Sequence, residues 1–138
     1  MKRLIFFSNT ILKDLALLIL RAGAGLMMAT HGWAKLSNFS SNLQNFADPI
    51  GLGPAVSLQL VIFAEFFCAL FLAIGFLTRV SLVPLIIAML VAAFVAHAGD
   101  PFGDKELSLM YLTVFVSLFL LGPGGYSLDA QIRRKSRY

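Results

Sequence analysis

Charge is scarce in this chain. Only 13% of its 138 residues are charged, and seven are acidic, whereas a soluble domain carries about 25% charged residues. Cysteine occurs once and histidine twice. A single cysteine excludes a disulfide framework and a CxxC thiol relay. No flavin, haem or iron–sulfur motif is visible, and no internal repeat or low-complexity tract. Apolar residues, in contrast, make up 59% of the chain. A chain this short leaves much of its surface exposed when it folds. So much apolar surface cannot all be hidden inside a soluble domain, and the excess is expected to face lipid. The same composition excludes a disordered chain.

Four apolar stretches are each near the length that crosses a bilayer core, about 20 helical residues at about 1.5 Å each. They are Leu15–Lys35, Ala55–Leu77, Val80–Ala98 and Glu106–Gly122. The last is ended by Gly122-Pro123-Gly124-Gly125, which cannot continue a helix. Thr78-Arg79 leaves almost no loop between the second and third, so these form a helical hairpin. The expected fold is all-α: an integral-membrane four-helix bundle in up-down-up-down order, forming one domain over residues 1–138. Gly23, Gly25, Ala29 and Gly32 would let the first helix approach a neighbour closely. The apolar run before Arg21 is too short to favour a cleaved signal peptide, because the apolar stretch continues past that residue.

Lys2, Arg3, Lys13, Arg79, Arg133, Arg134, Lys135 and Arg137 fall on one side of this topology, and only Lys35 and Lys105 on the other. The imbalance places both termini in the cytoplasm. The net charge of +4 is therefore a topology signal and an attraction to anionic lipid headgroups. The lipid bilayer is the expected partner, and nucleic acid is not.

The first outer loop carries its own pattern. Leu36, Phe39, Leu43, Phe46 and Ile50 recur at helical spacing, with Ser, Asn and Gln on the other face. This predicts an outer amphipathic helix ended near Asp48-Pro49. It is either a plain interfacial float or a lid over a cavity.

An ionisable group in hydrocarbon costs several kcal/mol by most estimates, so it usually has a partner or a purpose. Arg21, His31 and Lys35 lie on one stripe of the first span, and Glu65 lies near the middle of the second. Counting from the inner ends places Arg21 roughly 10 Å deep and Glu65 roughly 18 Å deep, a gap that a long arginine side chain can cover. Two readings stand side by side. One is a buried Arg21–Glu65 pair that fixes helix register. The other is a polar site for a small molecule or a proton. His97 and Glu106 flank the second outer loop, and Tyr111 lies slightly deeper on the fourth span. The sharper reading gathers them over the same outer cavity as His31 and Lys35. The spacing of the histidines and carboxylates matches no strong metal motif, and no metal is expected. Cys68 reads as a small apolar filler and Trp33 as an interface anchor.

In order and spacing, these residues resemble the DoxX family of small four-span membrane proteins. The resemblance is carried by Arg21-Ala-Gly-Ala-Gly with His31-Gly32-Trp33-Ala34-Lys35-Leu36, and by Glu65 leading to Gly75-Phe76-Leu77-Thr78-Arg79. It continues through His97, Glu106 and Tyr111 to Gly122-Pro123-Gly124-Gly125-Tyr126-Ser127-Leu128-Asp129. It implies a bacterial cytoplasmic (inner) membrane protein and, for function, a component of a quinone-linked oxidoreductase. His31 and Glu65 would then be the catalytic donor and proton relay. Arg21, Lys35, His97, Glu106 and Tyr111 would form the polar cluster about the ligand. Electrons would come from a soluble redox partner, a second membrane subunit or a diffusing reductant. The competing reading is a non-enzymatic scaffold that organises a redox or stress-response complex. A haem held by His31 and His97, and a small-solute transporter, find no further support in the sequence.

Overall fold

The computed structural model describes residues 10–136, and the fold is all-α, as expected. Lys2, Arg3 and Arg137, three of the cations used to orient the chain, lie outside the described residues. Six helices follow in order among the described residues. They are α1 (Thr10–Ser37), α2 (Phe39–Asn45), α3 (Pro54–Ile74), α4 (Thr78–Ala96), α5 (Phe102–Leu121) and α6 (Leu128–Lys135). The four long helices overlap the four apolar stretches, although α3 ends at Ile74 rather than at the expected Leu77. Of these, α3 and α4 are long and apolar enough to cross a membrane.

Local chemistry sets the boundaries. Helix α3 starts on Pro54, whose missing N–H costs nothing in a first turn. It stops at Gly75, which adopts φ 75°. The Phe76 N–H reaches back to the Phe71 carbonyl at 2.9 Å, closing a Schellman cap. Leu77 follows in the left-handed region at φ 47°, a strained position for a side chain of this size. Helix α4 begins at the next residue, which makes the hairpin as tight as the sequence suggested. Ser127 caps α6 by accepting a bond from the Ala130 N–H at 3.1 Å.

Helix α1 packs chiefly on α3 and α4 chiefly on α5; the α3–α4 hairpin and a lighter α1–α5 contact complete a ring. Two glycines set the α1–α3 register. A Cβ on Gly25 would stand 2.7 Å from the Ala69 carbonyl oxygen, and one on Gly32 would stand 2.5 Å from the Phe66 nitrogen. Only glycine permits approaches this close. Gly23, expected to share this role, faces open space. Leu17, Met28, Leu72, Leu82, Leu85 and Phe115 fill the centre of the ring. Large apolar side chains also line the outside, including Ile19 (65% exposed), Val80 (65%) and Leu120 (72%).

Two stretches wind more loosely than an α-helix. Phe63–Cys68 in α3 and Ala92–Ala96 at the end of α4 are π-helical. Nothing in the sequence reading anticipated them. Such segments are short insertions that re-aim side chains, and they are frequent at functional sites.

The outer amphipathic helix is shorter than expected. Helix α1 runs on through Leu36, α2 stops at Asn45, and Phe46 is extended. The chain then turns about Asp48, which accepts bonds from the Ser57 hydroxyl at 2.6 Å and from the Gly53 and Leu52 N–H groups at 2.8 and 3.1 Å. The Ser57 bond above all holds the Asp48 carboxyl below the usual carboxylate range, against the opposing effect of desolvation. This knot fastens the loop to the first turn of α3.

Candidate functional site

Buried polar groups gather at the two ends of the bundle. The tail end holds the α3–α4 turn and the segment leading into α6. Arg21, almost fully buried at 1% exposure, extends from α1 to this turn. Its Nη1 donates to the carbonyls of Leu72 and Ala73, both at 3.3 Å, and its Nη2 to the Tyr126 carbonyl at 3.1 Å. The carbonyls at a helix C-terminus lack intrahelical donors and carry partial negative charge, so the guanidinium caps α3 from outside. A Cβ on Gly75 would lie 1.9 Å from Nη1, so glycine also clears the space for the guanidinium.

The same end is tied by two carboxylates. Asp129 accepts from the Leu77 N–H, the Thr78 N–H and the Thr78 hydroxyl at 2.8, 2.8 and 2.7 Å. It thereby holds the strained Leu77 and caps α4. Burial would raise its carboxyl pKa, but the bonds from Thr78 and Leu77, aided by the nearby Arg21 charge, outweigh burial and lower it. Asp14 accepts from the Gly125 N–H at 2.8 Å.

The other end is open. A cavity of about 510 Å³ lies among α1, α3, α4 and α5, with almost entirely apolar walls. Met28, Leu60, Ile87 and Met89 form part of those walls. Phe46, Pro49 and Ile50 of the Asp48 loop close one side, which places the loop against the cavity as the lid reading requires. Polar atoms enter at a few points. The Lys35 ammonium donates to Glu65, and the pair lines the cavity with His31, His97 and Tyr111. The Lys35 ammonium has further N–H donors beyond the one it gives to Glu65. His31 and Tyr111 meet edge to face at 6.1 Å, and Tyr111 stacks on Phe115 at 5.6 Å. The His97 ring is oriented by Asp100, 2.7 Å from its Nδ1.

Both π-helical stretches border this cavity. Phe63, Ala64 and Glu65 come from the first; Ala92 and Ala96 come from the second, which delivers His97. The looser winding lies where Gly32 presses on Glu65 and Phe66.

Of the seven polar residues singled out by sequence, five converge here: His31, Lys35, Glu65, His97 and Tyr111. Glu106 is exposed at the start of α5 and stands outside the lining. The expected Arg21–Glu65 pair does not form. The register set by Gly25 and Gly32 puts Glu65 level with Gly32, eleven residues along α1 from Arg21, or about 16 Å. Arg21 instead meets carbonyls at its own level, and Lys35 takes Glu65. Sequence reasoning missed Asp14, the hydrogen bonds of Asp48, which it read only as a helix end, and the lining role of Pro84, a proline inside α4. It had Asp129 only as part of a closing motif. The visible signal for Asp48 was an Asp-Pro step before a Gly-rich turn.

Comparison with known proteins adds two findings. The family model described as DoxX matches residues 16–98. The inner membrane protein YqjF of Escherichia coli strain K12 is 32% identical over 128 residues, covering 90% of this chain and 97% of that protein. No solved structure matches the chain significantly.

Proposed function

From the premise that the chain belongs to the DoxX family, we propose that it is a bacterial inner-membrane four-span bundle whose open cavity binds a quinone or quinol as part of an oxidoreductase system. Similarity to an inner membrane protein supports the location, as do the two span-length helices and the apolar exterior. Soluble monomers rarely expose so much contiguous apolar surface. The excess of cations at the tail end, Lys13, Arg79, Arg133, Arg134 and Lys135, orients that end and both termini toward the cytoplasm.

The observation that carries the ligand class is the cavity itself, an apolar chamber of about 510 Å³ with a Lys–Glu pair set in its wall. Ligand pockets typically span about 300–1,000 Å³ and combine apolar walls with a few placed polar groups. The residues fit a quinone. Its ring and tail need apolar surface, and its two carbonyls need donors. Lys35 and His31 supply donors from α1. At the end of α4, His97, whose Nδ1–H goes to Asp100, offers its Nε2 as an acceptor for a quinol hydroxyl. Glu65 holds Lys35 in position and offers a carboxylate oxygen for a proton. Phe46, Pro49 and Ile50 exclude water from one side. A bound quinone would supply the two-electron chemistry. Electrons would arrive from a soluble partner, a second membrane subunit or a diffusing reductant.

The test is mass spectrometry of the organic extract from gently purified protein, beside an unrelated four-span control. The expected result is a quinone enriched at near one per chain, and reduced at least tenfold by Glu65→Gln. A quinone content no higher than that of the control would overturn the reading.

A further inference from the structure

A second recess lies at the tail end, about 710 Å³ in volume, between the start of α1, the α3–α4 turn, the end of α5 and helix α6. Four cations line it: Lys13, Arg79, Arg133 and Arg134. None of them forms an ion pair among the described residues. Two carboxylates also line it, Asp14 and Asp129. Both already accept bonds from the fold, Asp14 from the Gly125 N–H and Asp129 from Leu77 and Thr78. The carboxylates therefore fasten the backbone, and four cations against two carboxylates leave the lining with a net charge of +2. Arg79 reaches across the recess, with its Nη2 3.7 Å from the Cβ position of Gly122.

The recess also has an apolar side. Leu77, Val80 and Leu121 line it and are 48%, 65% and 53% exposed. Cations with no ion pair among the described residues, beside exposed apolar side chains at the end of a bundle whose exterior is apolar, match a molecule that is anionic at one end and greasy at the other. We propose that this recess binds the phosphate headgroup of an anionic phospholipid, with the acyl chains running along Val80 and Leu121. Basic pockets between helices at a membrane surface hold such headgroups by charge, and arginine suits phosphate through its forked donors. The site is separate from the cavity and does not rest on the quinone reading. It gives the tail cations a local role beyond orienting the chain.

The experiment follows the thermal midpoint of the full chain in a neutral detergent during titration with dioctanoyl phosphatidylglycerol, dioctanoyl phosphatidylcholine or inorganic phosphate. Saturable stabilisation is expected from phosphatidylglycerol alone. The double variant Arg133→Gln/Arg134→Gln, whose side chains are exposed, is expected to keep its circular dichroism and to need about tenfold more lipid for half-saturation. Lys105→Gln, at the opposite end, is expected to match the parent. Equal stabilisation by phosphatidylcholine, an unchanged half-saturation in the double variant, or an equal loss in Lys105→Gln would each overturn the site. Stabilisation by inorganic phosphate at matching concentrations would make it a free-phosphate site and overturn the lipid assignment.

Discussion

At the tail end, Arg21 gives donors to three carbonyls, and Asp129 receives three donors from the turn it faces. At the cavity end, Lys35 and Glu65 hold each other and line about 510 Å³ of open space. The two ends use similar residue types to opposite effect. Where polar groups close on the backbone they fix the chain; where they close on each other they line a cavity. The prior expectation that Arg21 and Glu65 form one site joined these two roles. The structure separates them, and the separation can be measured.

The largest effect is expected from Arg21→Leu. It removes the donors from carbonyls buried at the end of α3, and each unsatisfied buried acceptor is costly. A loss of about 3 kcal/mol or more is expected in denaturant or thermal unfolding in detergent. Wild-type stability in this variant would break the comparison, because the tail end would then not be the clasp. Asp129→Ala should come next, at about 1–2 kcal/mol, the usual cost of losing a helix cap. Its pH dependence sharpens the point. The folded carboxyl lies below its ordinary value, so its contribution is complete above about pH 4 and disappears as pH falls through the folded value. Parent and variant melting curves should therefore differ at neutral pH and converge in acid. A constant gap down to strong acid would assign the loss to packing. The smallest effect on stability is expected from the double variant Lys35→Met/Glu65→Gln, which removes both charges together. The Lys35 side chain is 29% exposed and that of Glu65 9%. Replacing both members of such a pair leaves neither charge unpaired, so a change of about 1 kcal/mol or less is expected. A larger loss would show that the cavity end also carries the fold.

Much of the architecture was legible because hydropathy, glycine and proline act locally. The four long helices and the tight hairpin could be read from runs of apolar residues, from Thr78-Arg79 and from Gly122-Pro123, although the second apolar stretch runs on to Leu77, past the actual stop at Gly75. Gly25 and Gly32 were legible as close-approach points, since a small residue on an apolar helix has few other uses. Five of the seven polar candidates also converge, because His31, Lys35, His97 and Tyr111 lie toward the cavity ends of their helices and Glu65, at mid-helix, is within reach of Lys35. The Arg21 partner was not legible. Backbone carbonyls carry no letter in a sequence, and these three become acceptors only once α3 has ended and the tail has folded back. The π-helical stretches were equally hidden. Phe63–Cys68 reads as ordinary apolar helix, and its extra width arises where Gly32 packs on Glu65 and Phe66. The Asp48 knot depends on Ser57, nine residues later, beyond the range of a local pattern.

The reach of Arg21 also sets an order of events during synthesis. Its acceptors on Leu72 and Ala73 emerge 51 and 52 residues after it, and Tyr126 emerges 105 residues after it. While the ribosome adds those residues, the first helix carries a cation with none of its final partners. That charge favours the aqueous boundary until α3 arrives to receive it. The last acceptor arrives after all four long helices have been made, so the segment through Tyr126 works as a latch. A chain released before that residue could hold four helices and still lack the contact that locks the first to the tail.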